Sequence, residues 1–151
     1  MRLEEEIKQK EFKNDYHKAA VNIIYTFNWL DSKSKDFFKK YDLTTQQYNI
    51  LRILRGQHPQ PATINLLRER MLDKMCDASR IVERLRIKNL LQRTPCSNDR
   101  RSVDIKISSK GLELLDHIDK DIESLFAHMQ TLNKEEIKEL NTLLDKLRGP
   151  V

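Results

Sequence analysis

The chain has 151 residues, a formal net charge of +5, 34% charged residues, and only three glycines and four prolines. That length suits one domain with a real hydrophobic core, and the composition favours helices over sandwiches, collagen-like repeats or disorder. No stretch of about 18 apolar residues occurs and the start, with Glu4-Glu5-Glu6, has no signal-peptide core, so no membrane association is expected and the cytoplasm is the expected location. Cys76 and Cys96 are too few for a disulfide framework, and neither they nor His17, His58, His117 and His128 have metal-ligand spacing, so no metal or cofactor is expected.

The first forty residues read as one long helix, with a possible interruption at Ser32-Lys33-Ser34. Its apolar stripe is Phe12, Tyr16, Ala19, Ala20, Ile23, Phe27 and Leu30. A second helix opens at Thr44, which forms a capping-box pattern with Gln47, and Gly56 is a plausible stop. His58-Pro59-Gln60-Pro61 is a stiff connector. Thr63 can cap a short third helix over 64–71, and a fourth runs from Cys76 or Asp77 to Asn89, a residue that tolerates left-handed backbone angles. Residues 90–94 and 103–107 read as paired strands, with Val103, Ile105 and Ile107 inward and Asp104 and Lys106 outward.

Ser108 or Ser109 caps a further helix with the stripe Leu112, Leu115, Ile118, Ile122, Leu125, Phe126 and Met129. Asn133 with Glu136 forms a second capping box, and Leu132 with Ile137 a hydrophobic staple, opening a last helix through Leu140, Leu144 and Leu147. The fold expected is mostly α with a small β-hairpin. A winged helix-turn-helix over 44–107 is flanked by long helical segments, 1–40 and 109–148, whose apolar stripes suit pairing with a second copy of the chain.

Between positions 68 and 106 stand eleven Lys/Arg against six Asp/Glu, so the whole net charge of +5 resides there. A basic block coinciding with a helix and hairpin is the footprint of a polyanion binder, and double-stranded DNA is the expected partner. On the fourth helix Ala78, Ile81, Val82 and Leu85 form the buried side, while Ser79, Arg80, Glu83 and Arg84 face outward, where arginine can pair with guanine O6 and N7 in the major groove. Asp99, Arg100 and Arg101 occupy the hairpin loop. Arginine there is favoured in a narrow minor groove, and Asp99 would orient a neighbouring arginine.

With those residues in view, the stretch 79–111 resembles the multiple-antibiotic-resistance regulator (MarR) family of bacterial winged-helix transcription factors. The matching residues are Ser79-Arg80, Val82-Glu83-Arg84-Leu85, Lys88-Asn89-Leu90-Leu91-Gln92-Arg93, Asp99-Arg100-Arg101 and Ile107-Ser108-Ser109-Lys110-Gly111. The resemblance extends over nearly all of 1–151. It implies one MarR-like domain that acts as a homodimer held by its N- and C-terminal helices, with the family's aspartate–any–arginine wing motif on Asp99 and Arg101. Asn89 stands where the family usually has glycine, and 71–75 is slightly longer than the usual turn.

The resemblance also implies response to a small aromatic or phenolic effector or to oxidants. Tyr16, His17, Tyr25, Trp29 and Tyr48 are the candidate pocket residues, and the alternative is that they are plain core or dimer contacts. Cys76, at a helix start, is placed where the helix dipole would lower a thiol pKa. No glycine-rich phosphate loop, nucleophile elbow or HExxH is present, so an enzyme is not expected. The reading is a sequence-specific DNA-binding regulator, a homodimeric repressor at an inverted-repeat operator. The alternative is a winged-helix protein-interaction module that binds DNA without sequence preference.

Overall fold

The computed structural model describes residues 1–95 and 103–149. The loop residues Cys96, Asp99, Arg100 and Arg101 lie outside that range. The chain divides into two compact units, Met1–His117 and Ile118–Val151.

The first unit opens with a short helix α1 (Leu3–Glu6) and a long helix α2 (Asp15–Lys39). The expectation of a single helix over the first forty residues is therefore corrected: the break falls between α1 and α2, and none occurs at Ser32-Lys33-Ser34. Asn14 sets the start of α2 by accepting the His17 amide at 2.8 Å. Ser34 stays helical because its hydroxyl donates back to the Leu30 carbonyl at 2.9 Å. Helix α3 (Thr45–Gln57) begins at the Thr44–Gln47 capping box, with both reciprocal hydrogen bonds at 3.1 Å. Gly56 does not stop it; the helix ends at His58, immediately before Pro59.

Thr63 caps α4 (Ile64–Arg70), and Asp77 caps α5 (Ala78–Ile87) by accepting the Arg80 amide at 3.1 Å. Strands β1 (Leu91–Pro95) and β2 (Val103–Ile107) pair antiparallel, with Leu91 opposite Ile107 and Arg93 opposite Ile105. Ala62 adds a single bridge to Ile105, through two backbone hydrogen bonds of 2.8 and 2.9 Å. Ile105 and Ile107 are buried as the alternation predicts, whereas Val103 and Asp104 are both half-buried at the open end of the strand.

The core of this unit sits under α5. Ile50, Leu51 and Leu54 of α3, Leu67 of α4, Val82 and Leu85 of α5 and Ile105 of β2 are all at most 1% exposed. Truncating a leucine packed this completely costs about 2–5 kcal/mol. The small helices and hairpin thus form a rigid support, and α5 presents its remaining face outward.

Helix α6 (Ser109–Phe126) follows β2, capped by Ser108, whose hydroxyl accepts the Gly111 amide at 3.0 Å. Gly111 is required sterically, because an added Cβ would run into the Leu90 carbonyl oxygen and lie 2.8 Å from Ile107 Cγ1.

The second unit holds the end of α6, a 3₁₀ turn (Ala127–Thr131) and α7 (Lys134–Arg148). Asn133 and Glu136 make the expected capping box, but α7 buries no residue: Leu143 and Leu147 are exposed and Ile137, Leu140 and Leu144 half-buried. Among the described residues no helix is long and apolar enough to cross a membrane.

Candidate nucleic-acid interface

Helix α5 is amphipathic in the manner its sequence predicts. Ala78, Val82 and Leu85 are completely buried, Ile81 is half-buried, and Ser79, Arg80, Arg84 and Ile87 are exposed. Arg80 and Arg84, four residues apart, share one face, and neither makes an ion pair among the described residues. Two unneutralised guanidiniums beside a serine hydroxyl are the donor set that guanine edges and phosphates accept.

Glu83 behaves differently from its outward-facing neighbours. Arg86 grips its carboxylate bidentately, with Nε 3.0 Å from Oε2 and a terminal nitrogen 2.7 Å from Oε1, while Arg93 of β1 reaches Oε2 at 3.1 Å. The Arg86 hydrogen bonds are the main reason the Glu83 carboxyl is held below its usual pKa, with Arg93 adding to the effect; Glu83 in turn raises the pKa of Arg86. Sequence reading placed Glu83 among groove-facing residues and missed both arginines. The three-residue spacing of Glu83 and Arg86 was a usable signal; the pairing with Arg93 depends on the hairpin and was not.

The C-terminus of α5 ends in a Schellman arrangement. The Leu90 amide donates to the Leu85 carbonyl at 3.0 Å and the Asn89 amide to the Arg86 carbonyl at 2.9 Å, with Asn89 at φ 59°. This is why asparagine serves where glycine was the family expectation. Lys88 meets Asp42 Oδ2 at 2.9 Å and also donates to the Asp42 carbonyl, and Ser108 donates to the Asn89 carbonyl at 2.8 Å, so the end of α5 is fixed from several directions.

The turn from α4 to α5 covers 71–77, the lengthening noticed in the sequence. Met71 is buried, the Leu72 amide donates to Asn49 Oδ1 at 2.9 Å, and the Met75 amide donates to Asp73 Oδ1 at 3.0 Å. Cys76 donates to the Asp73 carbonyl at 3.0 Å. Burial raises the pKa of its thiol, and the Asp73 carboxylate adds to the rise. The expectation that the helix start would activate Cys76 is corrected: Cys76 precedes the Asp77 cap, outside α5, and desolvation with the nearby Asp73 charge raises its pKa.

The five candidate pocket residues do not gather in one place. Tyr25 and Trp29 line a 200 Å³ cleft beside α1, where the Tyr25 hydroxyl donates to Glu6 at 2.9 Å. Tyr16 is exposed at the start of α2, His17 lies edge-on to Phe12, and Tyr48 packs against Phe38 with ring centres 4.2 Å apart. A larger cleft of 520 Å³ lies between α2, α3 and the 71–77 turn, lined by Phe27, Leu30, Gln46, Asn49 and Leu72.

Residues 43–103, which hold α3 to the start of β2, match the MarR family model. The chain carries a MarR-family domain. Its fold is that of solved MarR-type proteins across most of its length. A MarR transcription factor from Planctomyces limnophilus is 26% identical, with a TM-score of 0.70 over 89% of this chain and 98% of that one. MepR of S. aureus, solved in complex with DNA, is 19% identical with a TM-score of 0.76 over 91% and 97%. BpsR of Bordetella bronchiseptica, whose DNA binding is regulated by 6-hydroxynicotinic acid, is 20% identical with a TM-score of 0.67 over 84% and 98%. No curated protein matches in sequence. The match over 43–103 and the likeness to a MarR transcription factor support a DNA-binding regulator. The order of α4, α5 and the β1–β2 hairpin is that of a winged helix, in which α5 takes the position of the reading helix and the hairpin that of the wing.

Proposed function

We propose that this protein is a sequence-specific double-stranded DNA-binding repressor that acts as a homodimer at an inverted-repeat operator. Ser79, Arg80 and Arg84 read the major groove, Arg100 and Arg101 enter the minor groove, and Asp99 orients the wing. The observation that carries the reading is the exposed face of α5: two arginines without ion-pair partners among the described residues, mounted on a fully packed core. The match of 43–103 to the MarR family and the DNA-bound relative MepR support it.

Regulation by a small aromatic effector is part of the proposal, since BpsR answers to 6-hydroxynicotinic acid. The apolar 520 Å³ cleft at Phe27, Leu30 and Leu72 has the volume for such a molecule, and its wall includes the turn that leads into α5.

Selection from a random duplex pool at two salt concentrations tests the central claim. An enriched inverted repeat with half-sites about one helical turn (roughly 10 bp) apart is the expected outcome. Salt-sensitive binding without any enriched sequence would overturn it and favour a winged-helix module that recognises protein.

A further inference from the structure

We propose that Glu83 is a positioning residue for DNA recognition: by clamping Arg86 of the reading helix and Arg93 of the wing strand together, it sets the hairpin against α5 and withholds two guanidiniums from indiscriminate phosphate binding. The inference rests on the DNA-reading proposal and assigns Glu83 a role other than base contact.

The geometry carries the argument. Both oxygens of Glu83 are engaged by guanidinium donors at 2.7 to 3.2 Å, which leaves little acceptor capacity for a cytosine amino group. Arg93 sits opposite Ile105 near the middle of the hairpin ladder, and β1 leads directly into the loop that carries Asp99-Arg100-Arg101. Beyond Leu91 every residue of β1 is exposed, so burial does little to hold that end of the strand. The Arg93–Glu83 pair is a side-chain tie between it and α5.

Charge sets the second part of the role. A free carboxylate near a phosphate backbone is repelled, whereas one saturated by two arginines leaves a cluster of net positive charge with fixed direction. Released, Arg86 and Arg93 would each be free to seek any nearby phosphate, which adds affinity without sequence information. Exposed ion pairs contribute little to stability, so the clamp's effect belongs in recognition rather than in folding.

The test compares wild type, Glu83→Gln, Arg93→Met and the double variant on the selected duplex and a scrambled duplex of equal length, across a salt series. Glu83→Gln is expected to bind the scrambled duplex several-fold tighter and to lower the ratio of selected to scrambled affinity about tenfold. Its salt slope on scrambled DNA should steepen by about one to two, near 0.9 for each added phosphate contact. Arg93→Met should also lower the ratio, and the double variant should show less than the sum of the two effects. Thermal midpoints should move little.

A selective wild type whose Glu83→Gln variant keeps the same ratio and slope overturns the clamp while leaving the DNA-reading proposal intact. Equal weakening on both duplexes marks a purely structural residue and also overturns it. A wild type with no preferred duplex removes the DNA-reading proposal, and the clamp falls with it.

Discussion

At the scale of single residues, the structure separates side chains that sequence reading had grouped together. Ser79, Arg80 and Arg84 follow from helical spacing alone and stand exposed as expected, whereas Glu83 on the same face is occupied by Arg86 and Arg93. The Glu83 carboxyl, held below its ordinary value of 4.5 chiefly by Arg86, makes a contribution that is present above that value and lost as pH falls through the lowered one. Carbon-13 NMR of the side-chain carboxyls should therefore find its midpoint below 4.5 in the folded protein, and an ordinary midpoint would mean that the clamp is open in solution. Cys76 shifts the other way, because burial and Asp73 both favour the neutral thiol. In a Cys96→Ser variant at pH 7, iodoacetamide should modify Cys76 more slowly than free cysteine. Faster modification would restore the activated thiol expected from the helix start. That expectation failed because helix position is legible in a sequence, while desolvation depends on what packs around the turn.

At the scale of elements, capping residues proved the most legible features. Thr44 with Gln47, Thr63, Asp77 and Asn133 with Glu136 each start a helix where side-chain chemistry says one should. The misreadings fell where a local breaker was overridden: the serines at 32 and 34 continue α2, and Gly56 continues α3 until Pro59 intervenes. The gap before α2 was missed although Asn14 offers the same kind of cap, because the apolar stripe seemed continuous from Phe12 onward. Asn89 gives this scale its sharpest prediction. Its φ of 59° strains any residue with a Cβ, asparagine less than most, and the Schellman hydrogen bonds require that angle. Asn89→Gly should leave stability unchanged or slightly raised, and Asn89→Ala should lower it by about 1 kcal/mol. For a chain of this length that is a fall of roughly 2–4 °C in Tm at matched protein concentration. Equal midpoints for the two variants would show that the left-handed angle is not what the position demands.

Across the whole molecule, two helices keep apolar side chains that a single chain leaves uncovered. Helix α7 buries nothing, though Leu140, Leu143, Leu144 and Leu147 recur at helical spacing, and α2 exposes Ile24 and Phe27. A 15-residue helix whose apolar stripe is at best half-buried has little to hold it folded in water, so its order calls for a partner surface. We propose that the partner is a second copy, which fits an operator of two half-sites because a twofold axis repeats each reading helix along one face of DNA. Symmetry makes each leucine count twice: burying one leucine side chain is worth about 1.5–3 kcal/mol, and a twofold interface contains it in both subunits. Replacing both Leu143 and Leu147 with aspartate should therefore raise the dimer dissociation constant by at least about a hundredfold. Sedimentation equilibrium should find wild type near twice the 18.0 kDa chain mass and the variant near the chain mass. The variant should retain its helical circular dichroism outside α7 and lose the preference for an inverted repeat over an isolated half-site. A wild type that sediments as a monomer at micromolar concentration would defeat the dimer proposal, and the apolar faces of α2 and α7 would then need a different occupant.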